Sequence, residues 1–442
     1  MPSVRGIGSI DLTRRDLTLD LARVFCVLVV VAVHLLFVGV GVGADGALTV
    51  SRPVEDQVWF DAATWLGQIM PLFFVVGGFA SLTAWRSAQR RGESASAYVS
   101  TRLLRLAQPA LPVFLFYVIA IGGAHLAGVD PVLLDAIVVG VGSPLWFLAA
   151  YTLCQALVPT AASWHARGPV RTVVLLLTGV VVVDTLQFAL RTTELGYLNF
   201  FFVWVLVQQF GFWYADGWFA ARRWWQLLLV AVASWALLVP LTVWGPYDTD
   251  MLTNLNPPTL PLVLLGLGQA CLLRLFNPAL AAIMRTRPAQ AIVFFFGARL
   301  MTIYLWHLPV IIVLAGIGLF FPAATPEPAS AAWWWSRIPM FFLVLTIVWL
   351  ISLVLGRWER PRPLVGSPSP QAVAVAAVVT FLPPLAVTIF GLDVWIALAG
   401  TLLYAGALLL IRLPELTGAT AVSPGAAVLS TPTPTPTDPD GA

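Results

Sequence analysis

The stretch Leu19–Leu36, with the sequence LDLARVFCVLVVVAVHLL, decides the fold class of this chain. It belongs to an apolar run over residues 21–41, and about twenty apolar residues in a helix cover the roughly 30 Å hydrocarbon core of a bilayer. Runs of this length recur along nearly the whole chain, and they are continuous rather than alternating. Lipid tolerates only helices or closed barrels. The continuous runs therefore predict an all-α, polytopic integral membrane helix bundle.

The composition supports a membrane protein and argues against a nucleic-acid partner. Of 442 residues, 59% are hydrophobic and only 10% are charged, whereas soluble proteins contain about 25% charged residues. The net charge is +3, and the basic residues lie in short loops, where they mark topology rather than a binding face. Cys26, Cys154 and Cys271 lie in apolar runs without the spacing of a metal site. We therefore expect buried thiols and no metal.

Twelve apolar runs predict twelve spans, of which the first ten form a core and the last two an accessory hairpin. The runs cover residues 21–41, 62–84, 103–124, 134–158, 170–190, 198–215, 224–244, 258–276, 290–320, 338–356, 371–389 and 391–411. Gly142-Ser143-Pro144 interrupts the fourth run, which predicts a broken or re-entrant span. The sixth and eighth runs are short, so they would tilt or lie partly in the interface.

Four segments follow from these spans. We expect a cytoplasmic segment over 1–19, a membrane core over 20–363, the accessory hairpin over 364–412 and a disordered, Pro/Thr-rich cytoplasmic tail over 413–442.

The charges of the loops alternate between the two ends of the spans. Arg86, Arg90 and Arg91 follow the second span, and arginines follow each later even-numbered span through the tenth. Asp248 and Asp250 lie in a loop at the opposite end. Because cytoplasmic loops carry the excess of basic residues, we expect a multi-pass protein of the plasma membrane with both termini in the cytoplasm.

Three ionisable residues share one stripe of the first span. His34 follows Arg23 by eleven residues, about 16 Å of helical rise, and the two lie within roughly 20° of one face, with Asp20 about 60° round. This places Asp20 and Arg23 near the cytoplasmic face and His34 near mid-membrane. An imidazole there is suited to act as a general base. The alternative is that Asp20 and Arg23 are interface residues and that His34 bonds a neighbouring helix.

Two further arginines enter the membrane together. Arg102 and Arg105 are three residues apart and project from the same side of a helix. A guanidinium pairs bidentately with phosphate oxygens, so the pair is a candidate phosphate site. The alternative is that both anchor the topology.

Aromatic and histidine residues of two later segments complete the candidates. Trp146 lies in SPLWFL, and Tyr304 and His307 lie one turn apart in YLWHLP; packing roles are the alternative for all three. Gly77-Gly78 would let another helix or a chain-like substrate approach the backbone. The remaining histidines, His125 and His165, are assigned to loops without a role.

Together these residues resemble the acyltransferase-3 family of membrane O-acyltransferases, which acylate extracytoplasmic sugars and other surface molecules in bacteria. The opening stretch resembles that family's first span, with an acidic residue, an arginine and a histidine eleven residues later. The order and spacing of five further elements match as well: MPLFFVVGGF, RLLRLAQP, SPLWFL, YLWHLP and ERP, the last from Glu359 to Pro361. The resemblance covers about residues 15–363.

The resemblance implies an activity and a set of site residues. His34 would be the catalytic histidine, either taking the proton of the acceptor hydroxyl or briefly carrying the acyl group. No cofactor would be permanently bound; acyl-CoA, acetyl-CoA in the first instance, would be the co-substrate, and a carbohydrate or glycolipid the acceptor. Arg102 and Arg105 would contact the phosphates of acyl-CoA with help from Arg23. The supporting residues would be Asp20, Trp146, Tyr304, His307 and Glu359.

Two other classes of function remain open on the sequence. One is a transporter or lipid-linked-sugar flippase in which His34 and Arg23 form a proton relay. The lack of acidic residues deep in the spans counts against it, because proton-coupled carriers usually need a carboxylate. The other is a non-enzymatic scaffold or polymer-export subunit.

Overall fold

The computed structural model describes most of the chain. The described residues are 16–42, 48–321, 325–359, 364, 366 and 368–416. The predicted cytoplasmic segment before residue 16 and the predicted Pro/Thr-rich tail after residue 416 lie outside them, as do Arg360 and Pro361 of the ERP element.

The described residues are almost entirely helical. The helices are α1 Leu17–Leu36, α2 Phe60–Gly67, α3 Met70–Arg90, α4 Ala95–Leu126, α5 Pro131–Gly142, α6 Trp146–Ala156, α7 Val158–Arg167, α8 Pro169–Leu190, α9 Thr193–Gly196, α10 Asn199–Ala215, α11 Trp224–Val243, α12 Leu260–Ile283, α13 Arg287–Gly297, α14 Leu300–Leu319, α15 Ala331–Leu355, α16 Pro370–Phe390 and α17 Val394–Leu416. Within these residues, twelve helical segments are long and apolar enough to cross a membrane. The predicted all-α polytopic bundle is confirmed.

The first span ends earlier than its apolar run predicts. The side chain of Asp16 accepts a hydrogen bond from the backbone N–H of Thr18, which starts α1 at Leu17. The helix ends at Leu36 because the next residues form strand β1, Gly39–Val42, which pairs antiparallel with β2, Leu48–Ser51. His34, for which the sequence predicts a position near mid-membrane, lies in the last turn of α1.

Several spans are broken. The predicted interruption of the fourth span is confirmed, because a 3-10 turn at Ser143–Leu145 separates α5 from α6. The second span breaks at Gln68, between α2 and α3. The run 290–320, expected as one span, is two helices that break at Ala298 and Arg299, and α13 is too short to cross a membrane. Irregular backbone at this depth is tolerated where it lines a cavity, and these breaks do so.

Helix α10 lies at the centre of the bundle and contacts α3, α6, α7, α8 and α12. Most of the span that contains it, about 72% of its most apolar 18 residues, is buried inside the protein. This short sixth run is therefore a core helix and not an interfacial one. Its crossing with α3 depends on two glycines: a Cβ on Gly78 would collide with the carbonyl oxygen of Gln208, and one on Gly211 with that of Val75. The close approach predicted at Gly77-Gly78 is that of a helix.

The remaining spans pack around this centre. Helix α1 packs against α3, α12, α13, α14 and α15. The predicted hairpin is α16 and α17, which pack on each other, while α16 also contacts α6 and α17 contacts α4. Its helices therefore support two helices that carry site residues. The three cysteines are free and buried, as predicted.

Candidate active site

Two cavities bring the predicted site residues together. The arginine cavity, of about 560 Å³, lies towards the end of the bundle where α1 and α4 begin. Its walls carry the polar residues Asp20, Arg23, Arg102, Arg105, Tyr151, Gln155 and Glu359. The histidine cavity, of about 490 Å³, lies towards the end where α1 stops and its walls carry the polar residues His34, Arg52, Glu55, Asp61, Gln68, Asp250 and Asn256. Both volumes fall within the roughly 300–1,000 Å³ typical of ligand sites.

The two cavities lie back to back. Four residues line both of them: Val30, Met70, Phe147 and Tyr304. We call these residues the shared wall. Because His34 follows Val30 by one turn of α1, the imidazole stands on the histidine-cavity side of the wall. A group reaching the wall from the arginine cavity therefore comes close to His34.

His34 pairs with His307 across the interface of α1 and α14. The Nε2 atom of His307 lies 3.2 Å from Nδ1 of His34, although 273 residues separate the two in sequence. His34 Nδ1 also lies 2.9 Å from the carbonyl oxygen of Val30, and His307 Nδ1 lies 2.6 Å from that of Tyr304. Carbonyl oxygens only accept hydrogen bonds, so we assign the proton of each ring to Nδ1.

This assignment leaves His34 with one available nitrogen. The single proton on His34 Nδ1 is shared between two acceptors, the carbonyl oxygen of Val30 at 2.9 Å and the unprotonated Nε2 of His307 at 3.2 Å. The Nε2 of His34 then carries a lone pair, and it has no hydrogen-bond partner among the described residues. His34 is therefore held in the tautomer that a general base in this cavity requires.

Neighbouring residues hold Tyr304 of the shared wall and Trp146 of the histidine cavity in place. The Tyr304 hydroxyl donates to the carbonyl oxygen of Pro144, which also accepts from the backbone N–H of Trp146 in the 3-10 turn before α6. The Tyr304 ring packs edge-on against Phe147, with centroids 4.7 Å apart. Trp146 lines the histidine cavity and stacks on Trp204 at 5.3 Å. Both predicted supporting residues thus border the cavity that contains His34.

The three predicted arginines all line the arginine cavity. Arg102 lies 5.0 Å above the Tyr98 ring, and Arg23 lies 6.0 Å from the centre of the Phe73 ring. The Nε atom of Arg23 is buried and has no hydrogen-bond acceptor among the described residues. The aromatic contacts hold these side chains in place, and the Nε–H of Arg23 stays available to an anion.

The two predicted carboxylates border the same cavity. Glu359 accepts hydrogen bonds from the backbone N–H and the hydroxyl of Thr302, in the first turn of α14. It therefore caps the helix that carries Tyr304 and His307. Asp20 lines the cavity one turn before Arg23 on α1. All nine predicted site residues thus lie in or beside the two cavities, and His307 reaches them through His34.

Sequence reasoning missed the charged lining of the histidine cavity. Arg52, Glu55 and Asp250 come from the connections between spans, whereas Asp61 lies in the first turn of α2. Arg52 pairs with Glu55 at 2.9 Å. Burial raises the pKa of Asp250, and the nearby carboxylate of Asp61 raises it further. No local motif signals these residues, because the path of a long connection determines which of its side chains reach a cavity.

The placement of two histidines in loops is wrong. His125 lies in the last turn of α4. His165 lies in α7 and is buried, with Nδ1 2.8 Å from Gln209 and Nε2 3.0 Å from the carboxylate of Asp216. Burial of Asp216 opposes its ionisation, but hydrogen bonds from Arg86 and His165 outweigh that effect and lower its pKa. This cluster lies outside both cavities.

The statement that the spans lack deep acidic residues is also wrong. Asp184 lies within α8 and is 2% exposed. Its carboxylate accepts hydrogen bonds from Asn199, Tyr247 and the backbone N–H of Leu260. The donors Tyr247 and Leu260 tie the connection between α11 and α12 to the bundle, so Asp184 anchors that connection. Among the described residues, no group of three metal-ligating side chains could hold a metal ion.

Comparison with known proteins agrees with this geometry. The fold and site define a polytopic membrane protein with a cavity towards each end of its bundle. A family model described as an acyltransferase domain matches residues 16–357, which is 342 of 442 residues. The chain belongs to the acyltransferase-3 family and is a membrane acyltransferase, which favours this function over the transporter interpretation. No curated protein and no solved structure matches the chain.

Proposed function

We propose that this acyltransferase moves a short acyl group, acetyl in the first instance, from cytoplasmic acyl-CoA to a hydroxyl of an extracytoplasmic carbohydrate or lipid-linked acceptor. The observation that supports this most strongly is the back-to-back arrangement of the two cavities across the shared wall. The donor would occupy the arginine cavity and the acceptor the histidine cavity. Neither substrate would then have to cross the bilayer.

The arginine cavity suits a donor that is anionic at one end and uncharged at the other. Arg102 and Arg105 lie near the start of α4, at the end of the bundle where the Arg-rich connections also lie. Their forked guanidiniums can bind phosphate oxygens bidentately. Towards the shared wall the lining becomes apolar and aromatic, with Val30, Met70 and Phe147. The phosphates of CoA would lie at the arginines and the thioester at the wall.

The chemistry follows from the assigned tautomer of His34. The acceptor hydroxyl donates its proton to His34 Nε2 while its oxygen attacks the thioester carbonyl carbon. As the tetrahedral intermediate collapses, the carbon–sulfur bond breaks, and the imidazolium returns the proton to the leaving thiolate. The products are the acyl ester and free CoA, and the histidine ends neutral.

His307 acts as a positioning residue in this mechanism. Its Nε2 accepts the hydrogen bond from His34 Nδ1–H, which keeps the His34 lone pair on the nitrogen that faces the acceptor. When His34 becomes an imidazolium, the same contact strengthens as a charge-assisted hydrogen bond.

An assay that controls the side of the membrane on which each substrate is supplied tests the proposal. The protein is sealed into lipid vesicles, and its orientation is read from Arg90→Cys and Asp56→Cys, both exposed positions, with a membrane-impermeant maleimide. The native cysteines are buried, so their background labelling should be low. Radiolabelled acetyl-CoA and a panel of sugars and glycolipids are then supplied on opposite sides.

We expect acetyl transfer only when acetyl-CoA is on the Arg90 side and the acceptor on the Asp56 side. Transfer with acetyl-CoA only on the Asp56 side would contradict the assigned orientation. A burst of CoA release without acceptor, stoichiometric with protein, would replace the general-base role of His34 by an acyl-histidine intermediate. No acetyl transfer or CoA release with any acceptor would reject acetyl-CoA as the donor.

A further inference from the structure

One polar side chain of the arginine cavity has no role in the steps above. Gln155 lies in α6, is 3% exposed and lines the cavity. Its Nε2 is buried and finds no hydrogen-bond acceptor among the described residues. A buried amide donor without an acceptor costs free energy, so native proteins rarely keep one without a reason.

The position of Gln155 indicates what it would bind. Phe147, Tyr151 and Gln155 are spaced by four residues, so they form one stripe of α6 that faces the cavity. The rings of Phe147 and Tyr151 stack at 5.3 Å. The stripe begins at the shared wall and ends about 12 Å further along the helix at the unpartnered amide. A ligand lying along it meets aromatic surface first and then a single hydrogen-bonding group.

We propose that Gln155 binds an amide of the donor's pantetheine arm, and so selects a pantetheine thioester over other acylated nucleotides. This inference rests on the proposed function, because it places the thioester at the shared wall and the phosphates at Arg102 and Arg105. The amide groups of pantetheine lie between those two ends, where Gln155 stands. A hydrocarbon chain beside Gln155 would leave its amide unpaired. This disfavours a long fatty-acyl chain that extends along the stripe from the shared wall to Gln155.

The test compares two ligands on the full-length protein. CoA carries the pantetheine arm, and adenosine 3′-phosphate 5′-diphosphate carries the same nucleotide without it. Gln155→Met keeps the length of the side chain and removes its hydrogen-bonding groups. We expect Gln155→Met to weaken CoA binding about tenfold, to leave the affinity for the nucleotide unchanged, and not to lower the Tm of the ligand-free protein.

Gln208→Met is the matched control. Gln208 is also buried, but its Nε2 donates to the carbonyl oxygen of Cys154 and it does not line the arginine cavity. We expect a lower Tm and unchanged CoA affinity for this variant. Its opposite behaviour separates a glutamine that binds ligand from one that holds helices together.

The outcomes separate this inference from the function on which it rests. Wild-type protein that binds CoA, with a Gln155→Met variant that binds it equally well or loses affinity for both ligands alike, would overturn the role of Gln155 alone. A variant that melts lower without losing CoA affinity would make Gln155 a packing residue. Wild-type protein that binds neither ligand would reject CoA as the donor and this inference with it.

Discussion

The two cavities differ in the part of the chain that builds their walls. The polar lining of the arginine cavity comes mainly from transmembrane helices, with Asp20 and Arg23 on α1 and Arg102 and Arg105 on α4. The charged lining of the histidine cavity comes mainly from the connections between spans, such as Asp250 between α11 and α12, and only Asp61 comes from a helix, the first turn of α2. A side chain on a packed helix has a fixed direction, whereas one on a connection can change without moving the helices.

The cavities also differ in charge. Three arginines and two carboxylates give the arginine cavity a formal charge of +1: Arg23, Arg102, Arg105, Asp20 and Glu359. One arginine and three carboxylates give the histidine cavity −2: Arg52, Glu55, Asp61 and Asp250. The helical cavity therefore suits one anionic donor, and the loop-built cavity suits a neutral or cationic acceptor. On the proposed function, the donor would therefore occupy the helical cavity and the acceptor the cavity lined mainly by connections.

The largest expected effect is that of His34→Ala, which tests whether the chemistry lies on one side of the wall. We expect acyl transfer to fall by roughly 10²–10⁴-fold, as on loss of a general base. CoA affinity should stay unchanged, because His34 lines only the histidine cavity. The measurements are CoA release and CoA binding by purified protein, beside a melting curve.

His307→Ala is the control for this prediction. It should reduce turnover less, because the proton-accepting Nε2 of His34 remains, and His34 Nδ1–H loses only its contact with His307 and keeps the one with Val30. A His34→Ala variant that keeps more than about a tenth of wild-type turnover would contradict the assignment. If His307→Ala alone abolished activity, the two histidines would have to exchange roles.

The second effect tests the arginine cavity. Arg102→Ala and Arg105→Ala should each weaken CoA binding by roughly 10- to 100-fold, since a charge-assisted hydrogen bond contributes about 1.5–3 kcal/mol. Lysine at either position should restore only part of the affinity, because it lacks the bidentate fork. Calorimetric titration of folded protein measures both. Full CoA affinity in both alanine variants would reduce these residues to topology anchors.

The same contrast explains how much could be predicted from the sequence. Arg102 and Arg105 are three residues apart on one helix, and Arg23 and His34 are eleven apart on another, so helical geometry alone groups them. The contact between His34 and His307 spans 273 residues, and only the packing of α1 on α14 reveals it. Local spacing carries the first kind of information and not the second.

The break between α2 and α3 could not be predicted from the sequence for a related reason. Gln68 ends α2, and its backbone oxygen accepts a hydrogen bond from Gln269 of α12, 201 residues away. The hydropathy pattern shows only a continuous apolar run there. The break before α6 was predictable because Gly142-Ser143-Pro144 disfavours a helix by its own chemistry. A break that depends on a distant partner leaves no such mark on the sequence.

The third effect tests the charge of the histidine cavity. Asp61→Asn should raise kcat/KM for an anionic sugar relative to its uncharged parent by roughly two- to fivefold, because nearby unit charges in a wet site interact by about 1 kcal/mol or less. The shift should shrink in high salt. CoA affinity should not change. Asp56→Asn, at an exposed position outside the cavity, is the control. An unchanged ratio of the two acceptors would mean that the carboxylates do not select.

The smallest expected effect concerns stability, because the ionised carboxylate of Asp250 in the histidine cavity lowers the free energy of unfolding. Burial and the carboxylate of Asp61 raise the pKa of Asp250 above that of an unfolded aspartate, about 3.9. A raised folded-state pKa means that the ionised group destabilises the fold: its contribution is favourable only below the unfolded pKa and is lost as the pH rises through the folded value. At neutral pH, Asp250→Asn should therefore raise the free energy of unfolding, by less than about 1 kcal/mol for a half-exposed group.

The gain should depend on pH in one direction only. Melting curves of Asp250→Asn and wild type should differ at pH 7 and converge as the pH falls towards 4, because the wild-type carboxyl then becomes neutral as well. Asparagine keeps the oxygen that accepts from the backbone N–H of Leu252, so the loop geometry is preserved. The exposed Asp56→Asn should shift the curves at neither pH. A variant that melts lower than wild type at pH 7 would show instead that the Asp250 charge stabilises the loop, and the cavity's negative charge would then be structural rather than selective.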